Sequence, residues 1–295
     1  MKVKLIDLLQ KTQEELLNYV VCRLEERGYA RKVIKTKEYV FAQGTIPVLL
    51  VAHLDTVHKQ LPEVYYDREK EVMWSPQGIG GDDRCGVYGI LKICEHLKPY
   101  VLFTTDEEIG AKGAEKFVKD INKKVMRKIN FIIEIDRQGY NEAVFYDCGN
   151  KDFKNMILNY GFDEDFGTFS DISVLSPAFD IASVNLSAGY FNEHTTNEII
   201  KIDYLMHTVY NVERILLSKN VNTKYDFQEI QNFYSLYKYY DDYDYYKNCD
   251  NNLRKIIECD WEEATDNEWF KYYGEEKPKT KAELDEFILR YSDLK

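Results

Sequence analysis

Apolar residues near the start of the chain recur at three- and four-residue steps: Leu5, Leu8, Leu9, Leu16, Leu17, Val20, Val21 and Leu24. That spacing predicts one amphipathic helix with a single apolar stripe, ending at Gly28 and covering a sheet. The pattern then changes to short segments rich in β-branched and aromatic residues. KVIKT, EYVFAQ and, after the turn residues Gly44 and Pro47, PVLLVAH read as strands, and VLLVA is apolar on both faces, as a central strand is. EVYYD and EVMWS, with a charged turn between them, predict a hairpin. A glycine-rich loop over 78–86 leads into a helix near 87–97, then strand YVLFTT, a helix near 111–121, strands NFIIEID and EAVFYD, a helix near 153–160, and strand IASVNLS. This alternation predicts an α/β domain with a mixed, mostly parallel central sheet. Thr195-x-x-Glu198 matches a capping box, so a long helix carrying Ile199, Ile200, Leu205, Val209, Val212, Ile215 and Leu216 is expected directly behind His194.

Past residue 218 the composition changes. The tyrosine-rich acidic stretch NFYSLYKYYDDYDYYKNCD is followed by DWEEATDNEWFKYYGEE and a last helix, capped by Thr280-x-x-Glu283, with Leu284, Phe287, Ile288 and Tyr291 on one side. Aromatics at this density pack against something, so the organisation expected is an α/β domain over 1–218 and a helical appendage over 219–295 docked on it. Stacking on nucleic-acid bases is opposed by the surrounding acids, and a formal net charge of −12 argues against phosphate-backbone binding anywhere on the chain. The first residues interleave apolar side chains with charges, unlike a signal peptide or a membrane span. Six cysteines are scattered without a CxxC pair, which points to reduced thiols and a cytoplasmic location, not to a disulfide frame or a thiolate zinc site.

In an open α/β sheet, reactive groups collect beyond the carboxyl ends of the strands. At those places stand His53 and Asp55 after VLLVA, Asp82 and Asp83 in the glycine loop, Asp106, Glu107 and Glu108 after YVLFTT, Asp136 in FIIEID, and His194 after SVNLS. Each alone reads as a loop residue, a solvated turn or a helix cap. Their joint occurrence, in order, at the ends of separate strands of one α/β unit points instead to a metal site built from imidazole and carboxylate.

The motifs VAHLDTV, GIGGDDRCG, FTTDEEIG, EID and AGYFNEHT, spread over 51–195, resemble the co-catalytic dizinc exopeptidases, which include bacterial leucyl aminopeptidases, peptidase T-like tripeptidases and acylase-type deacylases. The resemblance implies a three-layer α/β/α zinc-exopeptidase fold and two Zn2+ ions, with Co2+ or Mn2+ as substitutes. By the same match His53 and Asp136 bind one metal, Glu108 and His194 the other, and Asp82 bridges both; Asp55 orients His53, Glu107 is the general base, and the Asp82 to Asp83 peptide bond is cis. The chemistry agrees. Two zinc ions about 3.5–4 Å apart need an anionic bridge. A carboxylate on the far ring nitrogen of a ligating histidine fixes its tautomer. Zinc lowers the pKa of a bound water toward about 7, so Glu107 takes its proton as metal-bound hydroxide attacks the peptide carbonyl. Tyr190, close to His194 in sequence, is a candidate oxyanion donor outside the assigned site.

Spacing narrows the branch. Between Asp136 and His194 there is room for strand, helix, loop and strand but no inserted lid domain, and only the hairpin separates His53 from Asp82. This layout is similar to the lidless leucyl aminopeptidase type, so the expected activity is an aminopeptidase acting on short peptides with a free N-terminus. A deacylase or desuccinylase of small N-acyl amino acids would use the same site with an arginine-lined pocket, and only Arg84 and Arg137 lie near the motifs. A non-catalytic binding homologue is opposed by the intact Glu107 and five ligands. His58, His96 and His207 receive no role, and Asp106 reads as part of the turn.

Overall fold

The run VLLVA becomes the middle of an eight-stranded sheet in the computed structural model, which describes residues 3–29, 32–230, 277–281, 283 and 284. The strands are β1 (Val33–Lys35), β2 (Tyr39–Ala42), β3 (Ile46–His53), β6 (Pro99–Thr104), β7 (Phe131–Arg137), β8 (Glu142–Val144), β9 (Asp163–Asp165) and β10 (Ser183–Ser187), in the spatial order β1-β2-β6-β3-β7-β10-β8-β9. The central strands β6, β3, β7 and β10 run parallel, and antiparallel pairings join β1 to β2, β2 to β6, and β8 to β10.

The two-residue period of a strand explains why both faces are covered. Along β3, Val48, Leu50 and Ala52 enter one apolar core while Leu49 and Val51 enter another on the opposite face. β6 divides the same way, Val101 and Phe103 against Tyr100 and Leu102. Helices α1 (Leu5–Leu9), α2 (Gln13–Leu24), α3 (Gly81–Ile93), α6 (Lys151–Leu158) and α8 (Ile202–Leu217) contribute to the first core. The second takes α4 (Lys112–Asp120), α5 (Lys123–Met126) and α7 (Asp171–Phe179). The expected three layers are therefore present.

Four features depart from the sequence reading. The N-terminal stripe is split between α1 and α2 because Thr12 caps α2: its hydroxyl accepts the Glu15 N–H at 3.3 Å, and Glu15 accepts the Thr12 N–H at 2.9 Å. Helix α7 is additional; Pro177 lies inside its nine residues and weakens the helical signal there. Ile199 and Ile200 are not helical but lie in β12 (Ile199–Lys201), which pairs with β11 (Tyr190–Phe191) and β5 (Val72–Trp74). The expected hairpin of β4 (Tyr65–Asp67) and β5 thus grows into a second, four-stranded sheet, and α8 begins only at Ile202.

The fourth departure is the boundary. The chain divides into two units, Met1–Ile230 and Gln231–Lys295, so the first continues past 218. Tyr225 explains why: its ring packs on Phe131 and Phe153 with centroids 6.0 and 5.4 Å away, and its main chain exchanges hydrogen bonds with Asn130 and Ala182 at 2.9 Å each. In the second unit the Thr280 and Glu283 pair forms as a capping box, with the Glu283 N–H on Thr280 Oγ1 at 3.3 Å and the Thr280 N–H on Glu283 Oε2 at 3.2 Å. The tyrosine-rich stretch and the rest of the expected appendage lie outside the described residues. Cys22, Cys85, Cys94 and Cys148 are free thiols, and no helix among the described residues is long and apolar enough to cross a membrane.

Candidate metal centre

Neighbouring strands about 4.8 Å apart bring their carboxyl ends close enough for side chains to meet. His53 is the last residue of β3, Asp136 lies near the end of β7, Glu107 and Glu108 follow β6, and Asp82 opens α3. His194 is delivered differently, by the loop between β11 and β12 of the smaller sheet, where its own φ is 62°. Gly86 lets α3 lie against the main chain of β7: a Cβ there would stand 1.8 Å from the Ile135 carbonyl oxygen. That close approach holds Asp82 above the strand ends. The Asp82 to Asp83 peptide bond is cis.

The donor atoms fall into two groups that share one residue. His53 Nε2 lies 3.1 Å from Asp82 Oδ1 and 3.3 Å from Asp136 Oδ1. His194 Nε2 lies 3.0 Å from both Asp82 Oδ2 and Glu108 Oε2. Donors around a tetrahedral ion with bonds of about 2.0–2.1 Å stand about 3.3 Å apart, close to the spacing found here. Donor atoms of His53, Asp82 and Glu108 also all lie within 4.8 Å of one another, and Glu108 Oε1 is buried without a hydrogen-bond partner, an acceptor a cation would satisfy. The residues present fit zinc.

Asp55 ties these groups to the scaffold. Its Oδ1 is 3.2 Å from His53 Nδ1, and its two oxygens accept the N–H groups of Glu107 and Glu108 at 3.1 Å each. One carboxylate thus fixes both the imidazole and the turn that carries the two glutamates. Asp106 stays in that turn, accepting a hydrogen bond from Gln13 at 3.3 Å.

Crowding of acids shows in their protonation. Burial, then repulsion from neighbours including Asp171 and Glu108, pushes Glu107 up to about 8 against the pull of His53. Burial and the Asp82 charge push Glu108 up to about 7, and Asp136 is likewise raised to about 8 by burial and Asp82, opposed by His53. Asp82 goes the other way: burial would raise it, but hydrogen bonds to His194 and His53 hold it below the usual carboxylate range. His194 rises to about 9, chiefly through its hydrogen bond to Asp82. Burial opposes charging of His53, yet the facing Asp136 and hydrogen bonds to Asp136, Asp55 and Asp82 raise it well above its ordinary value. The cluster gathers positive charge wherever it can.

Several supporting residues escaped the sequence reading. Glu198, expected as a capping-box residue for the helix behind His194, is buried and serves the start of α3 instead: its Oε1 accepts the Asp82 N–H at 3.0 Å, and its Oε2 accepts the Gly80 N–H at 2.9 Å and faces His58 Nε2 at 2.8 Å. His58 therefore has a place after all, bracing the carboxylate that fixes the main chain of Asp82. Asn185 does the same for Asp136, accepting its N–H at 2.8 Å and donating to its carbonyl at 3.1 Å. The Tyr190 hydroxyl donates to Asp136 Oδ1 at 3.3 Å, and Ser170 hydrogen-bonds Glu134 while reaching Asp136 Oδ2 at 3.3 Å. His96 pairs with Glu213 at 2.9 Å and His207 stacks on Tyr140, both away from these donors.

The donors open into a cleft of about 180 Å³ lined by Asp82, Glu107, Glu108, Asp136, Glu193 and His194. Arg137 reaches the same cleft, but its guanidinium donates to Asp165 Oδ2 at 2.9 Å and to the Phe166 carbonyl at 3.3 Å. Arg84 is buried and lines a different cavity, of about 220 Å³, which holds none of the five donors.

Fold and donor set together are of the kind that zinc-dependent metallopeptidases of the co-catalytic exopeptidase class use. Residues 36–173, just under half of the chain, match the profile of peptidase family M28, a span that includes every candidate site residue except His194. Among solved structures, a tripeptidase from Staphylococcus aureus subsp. aureus Mu50 aligns at 15% identity and a TM-score of 0.59, covering 72% of this chain and 95% of that one. Aminopeptidase PepT from Bacillus cereus aligns at 14% identity and 0.58, over 72% and 96% of the two chains. A Zn-dependent exopeptidase from Parabacteroides distasonis aligns at 15% and 0.50, over 68% and 88%. At these identities the shared property is the fold. No curated protein matches the sequence.

Proposed function

We propose that the protein is a cytoplasmic aminopeptidase that hydrolyses short peptides with a free N-terminus at a dinuclear zinc centre. In this reading His53 and Asp136 hold one ion, Glu108 and His194 hold the other, and Asp82 holds both; Co2+ or Mn2+ can substitute. The observation that carries it is the division of Asp82, one oxygen toward His53 and the other toward His194. Zinc bound there supplies Lewis acidity toward a peptide carbonyl and acidifies a water. Glu107 then acts as the base: its carboxyl lines the cleft, no described residue occupies it with a hydrogen bond, and its main chain is pinned by Asp55. It accepts the proton of the attacking water and delivers it to the leaving amine. Free thiols at all four described cysteines support a reducing compartment, and the net charge of −12 opposes nucleic acid as a partner.

A deacylase reading draws on Arg137, the one arginine in the cleft among the described residues, which would have to receive a substrate carboxylate. Its existing bonds to Asp165 and Phe166 weigh against that role. A short peptide assayed beside its N-acetylated form separates the two. Cleavage of the free form is expected; a protein that cleaves only the blocked form is not an aminopeptidase.

Glu198 gives a second check on the assigned donors. Glu198→Ala removes both main-chain contacts that set the Asp82 loop, and zinc affinity is expected to fall about 10–100-fold, as for groups behind a metal ligand. Equilibrium dialysis reads this. Unchanged affinity would show that the loop keeps its shape without Glu198, or that Asp82 is not a ligand.

A further inference from the structure

We propose that Glu193 receives the free α-ammonium group of the substrate peptide; the inference rests on the aminopeptidase reading and deepens it. Among the described residues five carboxylates line the cleft, and four of them are occupied. Asp82, Asp136 and Glu108 face the histidines as metal donors, and Glu107 is the base that must exchange a proton. Glu193 remains. It is half-buried and makes no hydrogen bond or ion pair with any described residue.

Peptide geometry says why a carboxylate is needed here. With N–Cα and Cα–C bonds of about 1.46 and 1.52 Å, the α-nitrogen of the first residue stands about 2.5 Å from the carbonyl carbon under attack. An ammonium group that near to dications and out of bulk water is unfavourable unless an anion faces it. Glu193 is adjacent in sequence to the ligand His194, in a loop where Asn192 and His194 both have positive φ, 58° and 62°. It lines the same cleft as His194, Glu107 and Glu108. Arg137, also in the cleft, would repel the ammonium, so the two side chains sort the orientation of a peptide as well as its charge. An N-blocked peptide offers Glu193 no cation and leaves it unpaired.

The test compares wild type, Glu193→Gln and Glu193→Asp on one peptide with a free N-terminus and on its N-acetylated form, with zinc content measured for all three. Removing a charged hydrogen-bond partner is expected to raise KM for the free peptide about ten- to a hundredfold, with kcat changed less. Glu193→Asp should recover part of the loss, and bound zinc should be equal throughout. L-leucinamide should compete in wild type and lose its effect in Glu193→Gln, whereas N-acetyl-leucinamide should be weak against both. If wild type cleaves the free peptide and Glu193→Gln has the same KM, the inference fails and the aminopeptidase reading stands. Wild type cleaving only the blocked peptide overturns both. A drop in zinc in Glu193→Gln would make Glu193 a metal donor and remove it from substrate binding.

Discussion

Replacing Glu107 by glutamine is expected to lower kcat by about 10²–10⁴ while leaving bound zinc unchanged. Glutamine keeps the shape of the side chain and the N–H that Asp55 accepts at 3.1 Å, so the turn after β6 should hold its place. What it loses is the ability to take a proton. Glu108 has the opposite profile: its Oε2 is 3.0 Å from His194 Nε2, inside the donor group, and Glu108→Gln should cost metal first and activity as a consequence. Measuring metal content beside kcat therefore separates two residues that adjoin in sequence and share the anchor Asp55. Zinc lost with Glu107→Gln and kept with Glu108→Gln would mean that their roles are reversed.

The seven candidate residues stood out in the sequence because their chemistry is unusual where they stand. A histidine or acid at the carboxyl end of an apolar strand has no packing reason to be there, and the ends of β3, β6 and β7 give the same message, with Asp82 and His194 brought to them by the start of α3 and the β11–β12 loop. The strands themselves were legible for a similar reason: β3, β6 and β7 are buried on both faces, so their apolar runs are long, interrupted in β7 by Glu134. The supporting residues carried no such mark. Glu198 sits three residues after Thr195, the spacing of a capping box, and only the pairing of β12 with β5 turns it inward onto the main chain of Asp82. Local pattern was overruled by tertiary contact. His58 and Asn185 act through hydrogen bonds across 140 and 49 residues, which no window of sequence contains.

The N-terminal helix failed for a simpler cause. The apolar spacing of residues 5–24 is continuous, and it hid the Thr12 and Glu15 cap that breaks the helix inside it. In α7, a proline and small polar residues suppress the helical signal, yet the helix is needed where it is: Asp171 in its first turn hydrogen-bonds Thr104 at the end of β6, and Ser170 before it links Glu134 and Asp136. The site is thus backed by a further layer of buried acids. Glu134 and Asp171 are fully buried and both are raised, first by burial and then by neighbouring carboxylates. So much carboxylate beneath a small cleft is stable only with cations or protons above it.

That balance sets the second large effect. Stripping zinc with a chelator is expected to abolish hydrolysis, and the stability of the stripped protein should fall as pH rises. The sign follows from the direction of the shifts. Carboxyls raised in the folded state contribute stability that is fully present below their unfolded value of about 4 and is lost as pH climbs through the folded value. Glu108 and Asp171 lie at about 7, Glu107 and Asp136 at about 8, so the loss runs progressively from about pH 4 to about pH 8, and part of it falls above pH 6. Asp82 and Asp55 are lowered and contribute above the ordinary carboxylate range, so they do not reverse the trend in that window. The Tm of chelated protein should be lower at pH 8.5 than at pH 6 by about 5 °C or more. Adding zinc should remove this dependence, because the metal takes the place of protons and binds ionised donors more tightly as pH rises, and calorimetric titration should show two equivalents bound with release of protons. A chelated protein with a flat Tm profile would mean that the buried acids are compensated elsewhere. One equivalent of zinc at saturation would remove Asp82 as a bridge and with it the dinuclear centre.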